Sequence, residues 1–192
     1  MRAWVIFFIS LWLGSTGAQA TVTQSTGYHP FVVHGKTARA IYKSILSHSR
    51  KKDGFQTFAT TDVSLRPHIK LITKPGCKIT DATITARFVV HLPNLANEAS
   101  LAPGLRQDWR SFAAELKHHE EHHREIWLGC AADLVAAATG LSEGDCKSFA
   151  KKFEERVKQA SKTCREKNDA FDNEAQTHLP AIPFIQRALL NR

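Results

Sequence analysis

Six consecutive residues, His118-His119-Glu120-Glu121-His122-His123, carry the chemistry this chain has to offer. Imidazoles four positions apart on a helix project from one face about 6 Å apart, near enough to share a tetrahedral zinc ion at about 2.0 to 2.1 Å from each nitrogen. A carboxylate beside the first imidazole is then placed to take a proton from a water on that ion. Two such frames overlap here: HExxH, using His119, Glu120 and His123, and the inverted HxxEH, using His118, Glu121 and His122. With ten histidines and ten glutamates in 192 residues, composition alone would produce HExxH about 0.03 times, so chance is a poor account of it.

Helical spacing separates the two frames. His119 and His123 continue an apolar stripe made by Trp109, Phe112, Leu116, Ile126, Cys130 and Leu134, whereas His118 and His122 continue a polar row with Ser111, Glu115 and Glu125. A metal centre needs a partly dry pocket to hold its ligands and tune a bound water. The reading is therefore HExxH, with His119 and His123 as ligands, Glu120 as general base, and His118 and His122 toward solvent.

A catalytic zinc site needs a third protein ligand and an open position. His178, just past the second long helix, is the preferred third ligand, provided the chain reverses after Ala175; Asp172, Glu174 and Cys164 remain alternatives. Glu154 and Glu155 are poorly placed. If the helices fold back about residue 141, those two lie about 9 to 10 Å along the axis from the level of the histidines.

The elements that must position these residues divide near residue 105. Residues 28–92 are rich in β-branched and aromatic side chains, with turn signals at Asp53-Gly54, Arg66-Pro67 and Lys74-Pro75-Gly76. The clearest strand is 77–92, with Ile84, Ala86, Phe88, Val90 and Leu92 on one side and Thr83, Thr85 and Arg87 on the other. A helix over residues 37–47 interrupts the strands, and residues 93–104 read as a loop. After Gly104 the period changes from two to about 3.6. One long helix should run to a cap at Gly140, and a second should start at Ser142, paired with Asp145 in a capping-box-like way. The second carries Cys146, Phe149, Phe153, Val157, Ala160, Cys164 and Phe171 on one stripe, so the two should form an antiparallel hairpin. Pro180 and Pro183 should leave the last residues outside helix.

These residues resemble the bacterial domain of unknown function 922, a family whose members are described as secreted zinc-dependent proteases. The resemblance covers nearly the whole chain after its leader. It runs through Tyr28 and His34-Gly35-Lys36-Thr37, Gly76-Cys77-Lys78-Ile79, the strand end at Leu92-Pro93, Trp109 to His119-Glu120 and His123, Cys146, and Phe171-Asp172 to Thr177-His178. It implies that His119, Glu120 and His123 form the metal and catalytic core, and it adds weight to His178.

Arg2, an apolar run over residues 3–13 and Ala18-Gln19-Ala20 form the pattern of a cleavable export signal, cut after Ala20. The apolar run is about half the length needed to span a bilayer, so an integral membrane protein is excluded. The net charge of +8 does not point to nucleic acid, because basic residues are spread along the chain and interleaved with Glu154, Glu155 and Glu166. Four cysteines in an exported chain suggest two disulfides. Cys146 and Cys164 lie about 27 Å apart on one helix and cannot join. With the fold-back at residue 141, Cys130 lies about 18 Å from Cys164 and about 9 Å from Cys146. The expected pairs are Cys77 with Cys164 and Cys130 with Cys146.

The expectation is an exported, periplasmic or secreted α+β protein of zincin-like class. A single domain over residues 21–192 is strand-rich over 21–104, with an antiparallel-rich sheet and one helix, and helical over 105–192. It should be a monomeric metallopeptidase acting on peptide or protein with one Zn²⁺ per chain, held by His119, His123 and His178. The strand ending near Leu92 should offer an edge to an extended substrate. The rival readings are a non-catalytic zinc-binding protein, suggested by the surplus His118 and His122, and an inactive zincin-fold binding module.

Overall fold

A computed structural model describes residues 20–49, 51–52 and 55–190; residues 1–19, which carry the expected export signal, lie outside the described residues. The architecture is mixed α+β: an N-terminal sheet, then a long helical region. The sheet is built on β6 (Cys77–His91), flanked by β1 (Ala20–Tyr28) and β5 (Thr60–Ile72). The β5–β6 pairing is antiparallel but β1–β6 is parallel, so the sheet is mixed. Two small pairs accompany it: β2 (Phe31–Val33) parallel to β7 (Pro93–Leu95), and β3 (Lys51–Lys52) antiparallel to β4 (Phe55–Gln56).

The two-residue alternation of β6 does what its pattern dictates. Ala82, Ile84, Ala86, Phe88 and Val90 are buried against the helices, and Thr85 and Arg87 are exposed. Because β6 is the central strand, with β5 along one side and β1 along the other, it has no edge there to offer a substrate. The edges belong to β1 and β5, which corrects the expectation for the strand ending near Leu92.

The helix α1 (Ala38–His48) starts where Thr37 accepts a hydrogen bond from the Ala40 amide at 3.2 Å. The spine of the molecule is α2 (Pro103–Thr139), followed by α3 (Cys146–His178). The second long helix starts four residues later than the sequence suggested. Asp145 itself is the cap, accepting bonds from the Lys147 and Ser148 amides at 2.9 Å each, and Ser142–Glu143 form a short strand β8 paired with Lys78 and Cys77 of β6. Those amide bonds hold the Asp145 carboxyl below its usual range. Near the C-terminus, Pro183 opens a further helix, α4 (Pro183–Leu190), because proline fits the first helical position. Phe184, Ile185 and Ala188 of α4 are buried, while Leu189 is exposed.

Two hydrophobic clusters grip α2 at its ends. At its start Leu105, Trp109 and Phe112 pack with Ile41, Ile45, Phe184 and Ile185; at its end Ala131, Val135 and Ala138 pack with Ile79, Ile84 and Phe149. The six-residue histidine segment lies between them, halfway along the helix.

The later start of α3 moves the register of the helical pair. Facing residues such as Cys130 and Cys164, or His123 and Asn168, are centred near residue 146, not 141. The disulfides are accordingly Cys77–Cys146 and Cys130–Cys164, with Cα separations of 5.0 and 5.9 Å. This overturns the expected Cys77–Cys164 and Cys130–Cys146 pairs. The β6–β8 pairing brings Cys146 beside Cys77, and the shifted register brings Cys164 level with Cys130.

Candidate metal centre

The middle of α2 turns two faces to the protein. One buries Leu105, Trp109 and Phe112 against α1 and α4 near the start of the helix and, further on, Glu120, only 4% exposed, against β5 of the sheet. The other faces α3 and carries His119, His123 and Cys130. The apolar stripe read from the sequence merged these two faces, which a 100° step between neighbouring residues keeps apart.

Opposite the second face, Cys164, Asn168 and Asp172 follow one another along α3 at steps of four. The ligand atoms of His119, His123 and Asp172 all lie within 4.8 Å of one another, a group that could hold a metal ion. The Nε2 atoms of His119 and His123 are 3.1 Å apart, and Asp172 Oδ1 lies 3.2 Å from the first and 2.8 Å from the second. Lone pairs converging at such distances need a positive charge among them, from a proton or a metal cation. The Phe171 ring stacks on His119 at 4.6 Å and meets His123 edge-on at 5.2 Å, closing one side.

Asp172 was one of the alternatives for the third position. His178, the preferred one, ends α3: the helix continues through Ala175 without the reversal that would return this side chain to the pair, and His178 and Glu174 are exposed. Cys164 is withdrawn by its disulfide. In the inverted frame His118 is exposed, and His122 lies against the Phe171 ring at 4.3 Å and near Glu125 at 3.6 Å.

Glu120 rests on the sheet. The Thr61 hydroxyl, on the face of β5 turned to α2, donates to Glu120 Oε2 at 2.8 Å. Burial pushes the Glu120 carboxyl above its ordinary value, against the opposing pull of the Thr61 bond and the His119 and His123 charges. For His123, burial works downward, but the hydrogen bonds to Asp172 and Asn168 and the charges of Asp172 and Glu120 outweigh it, so the imidazole is raised. Tyr28, at the end of β1, donates to Glu121 Oε1 at 3.0 Å and so ties the sheet to α2 one residue further on.

Two contributors were not singled out from the sequence: Thr61 and Asn168. Asn168 had a signal. It falls between Cys164 and Phe171 on the stripe of α3, and a polar residue on a line that otherwise packs against α2 must find a partner there. Thr61 had none, since nothing local tells which β5 residue meets Glu120.

Among known proteins, the family described as bacterial protein of unknown function (DUF922) matches residues 28–178. No curated protein and no solved structure matches the chain.

Proposed function

The chain belongs to the DUF922 family, and for this member we propose an exported, zinc-dependent peptide hydrolase of zincin-like class, with zinc held by His119, His123 and Asp172 and Glu120 as the proton-transferring base. The observation that carries this reading is the convergence of two imidazole nitrogens and a carboxylate oxygen beside a buried glutamate. The donor set suits the metal: imidazole and carboxylate are both common zinc ligands, and three protein ligands leave a position open. Four ligands around zinc stand about 3.4 Å apart, from bond lengths of about 2.0 to 2.1 Å. The triangle of 2.8, 3.1 and 3.2 Å needs to widen by about 0.2 to 0.6 Å a side to reach that spacing.

A zinc ion at this position supplies a Lewis acid and lowers the pKa of a water ligand. The chain does the rest. Thr61 holds Oε2 of Glu120, which leaves Oε1 to accept a proton and later return it to the leaving amine. Burial, by raising the affinity of that carboxyl for a proton, brings it closer to the range where a general base works best. The sheet edges run to this end of the molecule through Tyr28 of β1 and Thr61 of β5, and an extended peptide would pair with one of them. Two disulfides fit an oxidising compartment, and among the described residues no helix is long and apolar enough to cross a membrane.

The deciding experiment is elemental analysis of the purified protein together with peptide hydrolysis by Glu120→Gln. Wild type should carry one zinc per chain and His119→Ala should carry little. Glu120→Gln should keep its zinc while losing about 10² to 10⁴ in rate. A folded, chelator-free wild type lacking metal, or a zinc-loaded Glu120→Gln as fast as wild type, would refute the proposal.

A further inference from the structure

We infer that Asn168 is a positioning residue: its amide oxygen accepts a hydrogen from Nδ1 of the His123 ring and so turns Nε2 toward His119 and Asp172, where a metal would meet it. The inference rests on the reading that these three side chains hold a metal, but its chemistry is decided by atoms outside that group. The carbonyl oxygen of Cys164 can only accept hydrogen bonds. It lies 2.8 Å from the Asn168 amide nitrogen, so the amide must turn its NH₂ to Cys164 and its oxygen the other way. That oxygen lies 2.7 Å from His123 Nδ1. Two acceptors do not meet at this distance, so Nδ1 carries the hydrogen.

Flipping the amide would set oxygen against oxygen at Cys164. Asn168 is 4% exposed, so water has little access to relieve the mismatch. Which imidazole nitrogen is protonated is set by the bond the other one makes, and only the Nδ1–H form leaves Nε2 free to bind a cation.

The chain of bonds ends in a covalent anchor. Cys164, whose carbonyl orients the amide, is joined to Cys130 of α2, two turns beyond His123. One helix turn of α3 is thus tied to α2 by sulfur at Cys164 and by hydrogen bond at Asn168, and the next turn presents Asp172. This explains why a carboxamide stands on a stripe that otherwise packs against α2: an apolar residue there would leave the ring proton free to sit on Nε2.

The test reads the tautomer directly. Asp172→Ala, made in the full-length chain because the carboxylate 2.8 Å from Nε2 would itself draw a proton there, is labelled with ¹⁵N-histidine, stripped of metal by chelator, and examined by NMR at a pH where the ring is neutral. His123 should show a protonated Nδ1 and a bare Nε2. Adding Asn168→Ala should move the proton to Nε2; in the chain that keeps Asp172, Asn168→Ala alone should lower Zn²⁺ affinity, measured by competition with a chelating dye, about 10- to 100-fold. His123 protonated on Nε2 in Asp172→Ala with Asn168 in place would overturn the inference, as would an unchanged tautomer once Asn168→Ala is added. An Asn168-dependent Nδ1–H form in a protein that binds no Zn²⁺ would uphold the positioning and defeat the metal reading alone.

Discussion

Removing the Cys130–Cys164 crosslink should cost stability by an amount that the chain separation sets. The bridge spans 34 residues, and the loop-closure relation then gives about 12.6 cal/mol/K of denatured-state entropy, or about 3.8 kcal/mol at 25 °C. The same relation gives about 4.4 kcal/mol for Cys77–Cys146 across 69 residues, so the two bridges differ little in this respect. Domains of ordinary stability have about 5 to 15 kcal/mol in total. For a chain of this size about 3.8 kcal/mol corresponds to a fall of roughly 8 to 15 °C in Tm. The double variant Cys130→Ala/Cys164→Ala, unfolded in urea beside wild type without reductant, is the assay. Its midpoint should drop and its m value should rise, because the released denatured chain exposes more surface. It should also bind Zn²⁺ more weakly, because the anchored turn that carries Asn168 and Asp172 has lost its sulfur tie. A variant within about 1 kcal/mol of wild type, with m unchanged, would show that loop closure is not what this bridge contributes.

Three further outcomes follow from the same geometry. Phe112 is fully buried, with its ring stacked on Phe184 at 4.8 Å, so Phe112→Ala should cost about 3 to 5 kcal/mol in chemical denaturation. Glu120 is a buried carboxyl held above its ordinary value, so its contribution to the stability of the metal-free protein is present at low pH and lost as pH rises through the folded-state value. Glu120→Gln should therefore raise the melting temperature of metal-free protein above neutral pH and flatten that slope; a lower melting temperature there would contradict the burial argument. For His123, raised in the fold, the metal-free protein should hold its full contribution below about pH 6.5 and lose it as pH rises through the folded value. Zn²⁺ affinity should run the other way and tighten over the same window, because the metal competes with that proton; titrations at several pH values read both.

Periodicity made several elements legible in the chain alone. The strand of residues 77–92 became β6 to within a residue, since alternate burial is a local property of one extended segment. The helix read over residues 37–47 is α1 to within a residue, and the change of period after Gly104 announced α2. His119, Glu120 and His123 could be named because a four-residue step on a helix fixes which rings share a face, whatever surrounds them. The register between helices was not readable that way. Ser142 and Asp145 both have capping chemistry, and only the pairing of Ser142–Glu143 with β6 assigns the cap to Asp145. That choice moves α3 along α2, exchanges the cysteine partners and puts Asp172 beside the histidines while His178 stays at the exposed end of the helix.

The division has one physical origin. What the sequence determined by itself depends on neighbours a few positions away: the alternation of β6, the extent of α2, the shared face of two imidazoles. What the tertiary structure decided was everything that depends on the offset between elements distant in the chain: the crosslinks, the third group facing the histidine pair, the Thr61 hydroxyl under Glu120 and the Asn168 amide behind His123. A shift of one helical turn alters no local preference, yet it changes every partner across an interface, and only packing the whole chain settles which offset prevails.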